Sequence, residues 1–473
     1  MIKRGIYNDY EQAMLNDFEV TAKKLAQESM KHPSRSEATK ESMIRHSLWG
    51  DPWNPLWHDE EYAKETKWGG LIAMPLYTDQ ADIFSYFPHL PREAGFVDHN
   101  LYGGDWTNLH PVRPTDKFTV VQHAPELIDI TDDNDPNALR TFGFIERNAD
   151  VYNQDGQLLS THKHLMDIIV RPEPQTILAD SLPFEDHYYT ESDWSFINSI
   201  IDNEERRGAN TRWWEDVQIG EELAPTTIGP STVMDMAAYY ASHEEIPIRP
   251  TRFFREEDRR EGTGHLMIDP RTNVSHFAAS WHFISDVARL LGNPRAFHFG
   301  DSARTQMVRL ATNWIGDDGD VRSVSFRHIS RTPVGDCQVG HGRVIDKFIQ
   351  DGEYCVLLDV WLDNLCRGNV TEAAKIVVVL PVRGTPAAHP QQAPGKQLFR
   401  VGERVQIGKH PFWWAGGNPL VGATGTITKL YAWDEAYANF PEYVGVEIDP
   451  SSTDTKLGIG NKLMFRGEYL ELI

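Results

Sequence analysis

The 473-residue sequence predicts an α+β protein made of two copies of one domain followed by a small all-β module. Three observations predict it. Helical periodicity gives way to strand alternation twice, once within residues 40–175 and again within 211–383. The two stretches share landmarks. Arg113-Pro114-Thr115-Asp116 and Thr332-Pro333-Val334-Gly335-Asp336 each precede a strand, and the turn Asn153-Gln154-Asp155-Gly156 has its counterpart in Asn364-Leu365-Cys366-Arg367-Gly368-Asn369. A proline, Pro172 or Pro381, stands just past the last strand of each. Beyond a Pro/Ala-rich linker at 384–397, short β-branched runs between glycine turns imply a five-stranded barrel over 398–473. The repeated unit is too long for a solenoid, so it reads as a diverged duplication of a whole domain.

Each element follows from a local pattern. Residues 1–39 form an N-terminal arm whose helix, over 5–30, carries Ala13, Leu15, Phe18, Ala22 and Leu25 at near-helical spacing. Lys31–Ser36, with Pro33, breaks it. The first domain, 40–175, opens with helical segments at 41–48 and 59–67 and a buried apolar helix over Leu71–Phe87. Strands follow at Phe118–Gln122, Thr141–Arg147, Ala149–Asn153 and Leu158–Val170, the last two joined by an Asp-Gly hairpin turn. Residues 176–210 are a polar linker with one short helix, Asp193–Asn203. The second domain, 211–383, has helices at Thr232–Ala241, Asp286–Leu291 and Ala303–Trp314. A charged insert covers Arg249–Asp269, and strands run at Val321–Ile329, Gln338–Lys347, Tyr354–Leu362 and Ala373–Leu380.

Bulk properties exclude several functions. A net charge of −23 opposes nucleic acid as a general partner, because phosphate contacts need clustered cations. No stretch reaches the roughly 20 apolar residues of a membrane span, so no membrane partner is expected. The N-terminus lacks the apolar core of a secretory signal. Cys337, Cys355 and Cys366 have neither metal nor redox spacing, which suits buried thiols in a reducing cytoplasm. His265, His276, His298, His328 and His341 are scattered without ligand spacing, so neither a metal nor another cofactor is expected.

One stretch concentrates polar and turn-prone residues: Gly50-Asp51-Pro52-Trp53-Asn54-Pro55-Leu56-Trp57-His58-Asp59-Glu60-Glu61-Tyr62-Ala63, followed by Trp68-Gly69-Gly70-Leu71-Ile72-Ala73-Met74-Pro75. It resembles the signature of MaoC-like dehydratases and (R)-specific enoyl-CoA hydratases, Gly-Asp-x-Asn-Pro-Ile/Leu-His-x-Asp, then Ala, then Gly-Gly-x-Ile-Ala. Trp314-Ile315-Gly316-Asp317-Asp318-Gly319 with Pro333-x-Gly335-Asp336 is similar to the second domain of the two-domain members. The resemblance covers about residues 40–382 and implies tandem (double) hot-dog domains, each an antiparallel sheet wrapped on a central helix. The C-terminal module resembles an SH3-like barrel. The implied activity is a hydro-lyase acting on a small-molecule substrate, a 2-enoyl/3-hydroxyacyl-CoA thioester. An Asp/His pair around one water would move the protons, and a backbone N–H or helix N-terminus would polarise the carbonyl. Homodimerisation is a further expectation of the resemblance.

The chain departs from that signature at its centre. Trp57 stands where the family has histidine, His58 is one place late, and a residue is inserted between Asp51 and Asn54. In the second copy Ile284 takes the histidine's place, with His282 nearby and Asp286 at the aspartate position. The catalytic candidates are therefore Asp51 with His58 and His282 with Asp286; the alternatives are helix capping and an ordinary i,i+4 pair. Candidates for substrate binding are Asn54, Trp57, Gly69 and Gly70, the glycines either as backbone donors or as permitting close packing. Arg252 and Arg255 are placed to meet a CoA phosphate, the alternative being a solvated insert. Two further readings stay open: a different lyase or isomerase reaction on a non-CoA substrate, and a non-catalytic subunit docked through the barrel.

Overall fold

The structure, a computed structural model, describes residues 3–29, 37–81, 97–123, 126–132, 139–170, 184–243, 266–268, 272–290, 293–384, 399–408, 419–431, 443–453 and 462–473. The chain divides into two compact units. One comprises Met1–Ala179, Asp235–Gly292 and Ser323–Ser325; the other comprises Asp180–Met234, Asn293–Arg322 and Phe326–Ile473. Among the described residues no helix is long and apolar enough to cross a membrane.

The first unit begins with α1 (Asp9–Ser29), α2 (Lys40–Gly50) and α3 (Glu60–Lys64). Thr39 caps α2 reciprocally with Ser42, and Asp59 caps α3 by accepting from the Glu61 and Tyr62 amides. Its sheet has the order β2 (Thr119–Gln122), β4 (Arg140–Tyr152), β5 (Leu158–Val170), β1 (Val97–Asn108), with β3 (Leu127–Asp129) paired to β4. The runs expected as two strands, Thr141–Arg147 and Ala149–Asn153, are one strand, β4, whose register to β5 shifts between Ile145 and Arg147. That bulge restores the inside–outside alternation that the sequence appears to break. Strand β1 was not anticipated, its Asn100, Gly103, Gly104 and Asp105 hiding the strand pattern.

The helix expected over Leu71–Phe87 is not helical from Leu71 to Met74 and forms a 3₁₀ turn at Tyr77–Ala81; its remainder lies outside the described residues. Pro75 and the positive φ of Leu76 (73°) explain the late start. The same unit contains the C-terminal part of α5 (Val233–His243), the hairpin β7 (Leu266–Ile268)–β8 (Ser275–Phe277), and α6 (Ser285–Leu290). Arg140, buried on β4, holds the N-terminal arm by bonding the Lys3 and Ile6 carbonyls and pairing with Glu11 and Asp129.

The second unit, after the linker helix α4 (Glu191–Asp202), has the hot-dog arrangement outright. Its central helix α7 (Gly300–Ile315) packs on the sheet β9 (Asp320–His328), β12 (Val370–Val379), β11 (Glu353–Asn364), β10 (Gln338–Gln350), β6 (Thr226–Ile228). From Ser302 to Ile315 all but one of its residues are buried, Met307, Val308, Leu310 and Ala311 among them. Each fully buried large aliphatic of this kind contributes about 1.5–3 kcal/mol. Close approach of helix and sheet depends on β10 glycines: a Cβ on Gly342 would meet Leu310 Cδ2 at 2.9 Å.

Strands β11 and β12 are buried along almost their whole length, which explains their near-continuous apolar sequence. One face meets α7; the other meets the C-terminal module, a five-stranded antiparallel sheet. Its order is β16 (Lys462–Arg466), β15 (Tyr443–Ile448), β14 (Thr424–Tyr431), β13 (Arg404–Ile407), β17 (Leu470–Leu472). Val405, Ile427, Val446 and Phe465 form its core. The Trp413-Trp414 pair and most of the Pro/Ala linker lie outside the described residues.

A charged cluster joins this module to the sheet. Asp359 of β11 pairs with Lys375 of β12 and with Arg466 of β16 (2.8 Å), all three fully buried. Burial pushes the Asp359 carboxyl up, but Lys375 and Arg466 outweigh it and hold the carboxyl at about 2. The Arg466 guanidinium also stacks over Trp361, 3.6 Å from the ring centroid.

The duplication is visible in the hydrogen bonds of the two halves. Leu109 and His110 N–H both donate to Leu159 O, as Ile329 and Ser330 donate to Thr371 O. Ala73 N–H donates to Val112 O, as His298 does to Thr332 O; Thr115 and Gly335, both of positive φ, close matching turns. Asn108 thus matches His328, Ser160 matches Glu372, and Pro75 matches Gly300.

Candidate functional site

The signature stretch folds as a run of caps. Gly50 ends α2 with Asp51 as its C-cap, Asn54 Oδ1 accepts from Leu56 N–H (3.2 Å) to cap a 3₁₀ turn over Pro55–Trp57, and Asp59 starts α3. Asp51 is fully buried, and its Oδ2 accepts from the Trp57 indole N–H at 3.1 Å. Trp57, which stands where the signature that the stretch resembles has histidine, therefore takes up the aspartate as a donor with no lone pair. His58 turns away: its Nε2 sits 3.0 Å from the Pro52 carbonyl and does not bond Asp51. The expected Asp51–His58 pair is not formed, because inserting one residue rotates position 58 out of the turn that Trp57 faces into.

Gly69 (φ 65°) and Gly70 (φ 157°) hold backbone conformations that residues with side chains rarely adopt, while a Cβ on Gly69 would touch nothing within 4 Å. Backbone shape, not close packing, demands them. The Gly70 and Leu71 carbonyls accept from Arg113. His282 is buried edge-on to Trp281, and Asp286, half-exposed, pairs with Arg289 at 3.2 Å. Arg252 and Arg255 lie outside the described residues.

A different pair sits at the N-terminus of α7. His328, at the end of β9, places Nδ1 3.5 Å from Glu372 Oε1 on β12. Glu372 is 2 % exposed, and its Oε2 accepts from Gln338 Nε2 of β10 at 2.6 Å; the same amide reaches Thr332 and Thr371. The carboxylate is fixed from one side and free to orient an imidazole on the other. The opposite ring nitrogen lies on the helix: a Cβ at residue 300 would fall 1.6 Å from His328 Nε2. Only glycine lets the imidazole rest against the first turn of α7. No side chain caps that turn, and the positive end of the helix dipole lies at residue 300, against which Nε2 rests. The His328 side chain keeps 18 % exposure. An imidazole beside a buried carboxylate, partial exposure and the positive end of a helix thus meet at one place.

The first half has no such pair at these positions, where Asn108, Ser160 and Pro75 stand; Ser160 instead donates to Thr78 at 2.7 Å. Sequence reasoning passed over His328 as one of several scattered histidines and did not single out Glu372. The duplication pairs these positions with Asn108 and Ser160, and only the packing of α7 on the sheet brings them to the start of the helix.

No family model and no curated protein matches the chain. Solved structures do. One described as a MaoC-like dehydratase is 13% identical, with a TM-score of 0.48 over 74% of this chain and 96% of its own. The MaoC-like dehydratase from Phytophthora capsici is 12% identical, with a TM-score of 0.41 over 74% of this chain and 97% of its own. A Mycobacterium tuberculosis protein described as having a double hotdog fold is 9% identical, with a TM-score of 0.43 over 73% and 93%. Two of these are thus described as MaoC-like dehydratases and one as having a double hotdog fold.

Proposed function

We propose that the chain is a hydro-lyase that adds water to, or removes it from, an activated alkene, with a 2-enoyl/3-hydroxyacyl thioester as substrate class. The His328–Glu372 pair against Gly300 is the observation that carries this reading. Glu372 Oε1, 3.5 Å from Nδ1, favours the tautomer with its proton on Nδ1, which leaves Nε2 as the base. In the hydration direction His328 Nε2 takes a proton from water as its oxygen bonds to the β-carbon. The alkene pair moves toward the thioester oxygen, which the positive end of the α7 dipole stabilises as the charge develops. The imidazolium then returns its proton to the α-carbon, so one ring serves as base and acid in turn. The Asp51–Trp57 pair has no comparable role, since an indole does not exchange a proton under these conditions.

Loss of enoyl absorbance from crotonyl-CoA and longer 2-enoyl-CoA thioesters tests this. His328→Gln is expected to lower kcat by about 10²–10⁴ and Glu372→Gln by less, because the imidazole remains. Absence of turnover with every enoyl thioester, or a His328→Gln protein with the wild-type rate, overturns the proposal.

A further inference from the structure

The first half holds its own buried acid–base cluster at another position. Asp79, in the 3₁₀ turn that occupies the place of the central helix, has Oδ1 2.6 Å from the Trp106 indole nitrogen. The same oxygen lies 3.4 Å from His164 Nε2 and 3.9 Å from His162 Nδ1, two residues on one face of β5. His162 and His164 have 0% and 3% of their side chains exposed, and Asp79 has 12%, making the carboxylate the member nearest to solvent. An indole and two imidazoles thus converge on one carboxylate oxygen.

Burying such groups costs several kcal/mol unless they serve one another or a ligand. The second half shows that the fold does not need them. In its matching register, Trp106 corresponds to Phe326, His162 to Ala374 and His164 to Ile376, all of them fully buried. A sheet that packs with three apolar residues there gains nothing in folding from an indole and two imidazoles. The Trp106 N–H, donating to the oxygen that the imidazoles face, holds the carboxylate in one orientation, as a proton-transfer site requires.

We propose that Asp79, oriented by Trp106 and His164, is a second proton-transfer centre for the same class of activated alkene, so that each half of the chain carries one centre. This rests on the function proposed above. Asp79 takes a proton from water, the water oxygen bonds to the β-carbon, the alkene pair passes to the thioester oxygen, and the carboxylic acid returns its proton to the α-carbon. No oxidant, reductant or co-reactant enters.

The full-length chain is assayed with crotonyl-CoA and a longer-chain 2-enoyl-CoA as His328→Gln, His164→Gln, Asp79→Asn and the two doubles with His328→Gln, each with its melting temperature. Two centres predict that the His328→Gln protein keeps measurable turnover with at least one thioester and that adding Asp79→Asn or His164→Gln lowers it by a further 10²-fold or more. If His328→Gln alone falls to background while folded Asp79→Asn and His164→Gln proteins keep the full wild-type rate, the second centre is refuted and the first stands. If wild type turns over no enoyl thioester, the underlying reading fails and this inference with it.

Discussion

Gly300→Ala separates the site from the fold. Residue 300 opens α7 and its φ is not in the left-handed region, so alanine costs nothing there as backbone and stabilises a helix by about 0.4–1 kcal/mol relative to glycine. The added methyl, however, would sit 1.6 Å from His328 Nε2. A carbon and a nitrogen in contact need about 3.4 Å or more, so the ring must retreat by roughly 2 Å. Its Nδ1 starts 3.5 Å from Glu372, already at the limit of a hydrogen bond, and cannot follow without losing that partner. Displacements of about 1 Å cost of order 10²-fold in rate. The expected result is a protein whose melting temperature is unchanged within a few degrees and whose kcat on enoyl thioesters falls at least 10²-fold. The imidazole resonances of His328, assigned by comparison with His328→Gln, should move. Wild-type turnover together with an unmoved His328 signal would refute both the placement of the ring and its role.

Other perturbations test the supporting structure. Trp57→Phe removes the indole donor to buried Asp51 and is expected to cost about 1–3 kcal/mol in urea unfolding while leaving the rate of the α7 centre unchanged. Arg466→Met breaks a fully buried pair with Asp359 and should cost about 3–5 kcal/mol, read as a lower unfolding midpoint. Asp363 tests pH dependence. It accepts from Tyr469 (2.8 Å) and Trp361 (3.2 Å), with His341 3.5 Å away, and burial pushes its carboxyl up to about 7 against the pull of Tyr469, Arg466 and Trp361. A folded-state pKa above the unfolded value means that its stabilisation is complete below about pH 4 and lost as pH rises through about 7. The stability of Asp363→Asn relative to wild type should therefore increase from pH 5 to pH 8, measured by urea unfolding at each pH; a constant difference would contradict the assignment.

The duplication and the second half's helices and strands were legible in the sequence, because their signals are local. Gly300–Ile315 carries its apolar residues around a helix, and β10 to β12 are bounded by turn residues that set their lengths. Asn54 and Asp59 were legible as caps for the same reason: a cap bonds amides two or three residues away. Strand β4 reads as two runs because a bulge resets alternation, and Leu71–Met74 reads as helix because Leu76 adopts a backbone conformation that its side chain does not announce.

The candidate site was decided by tertiary structure. The sequence determined that Trp57 stands where the signature it resembles has histidine, but not that Trp57 would occupy Asp51 while His58 turned to Pro52. Nor does any spacing join Gly300, His328, Gln338 and Glu372, which come from one helix and three strands. Their meeting depends on the register of β9, β10 and β12 and on how closely α7 approaches the sheet. Periodicity tells which face of an element is buried; which residues from distant elements share one point depends on pairing and packing across the whole unit.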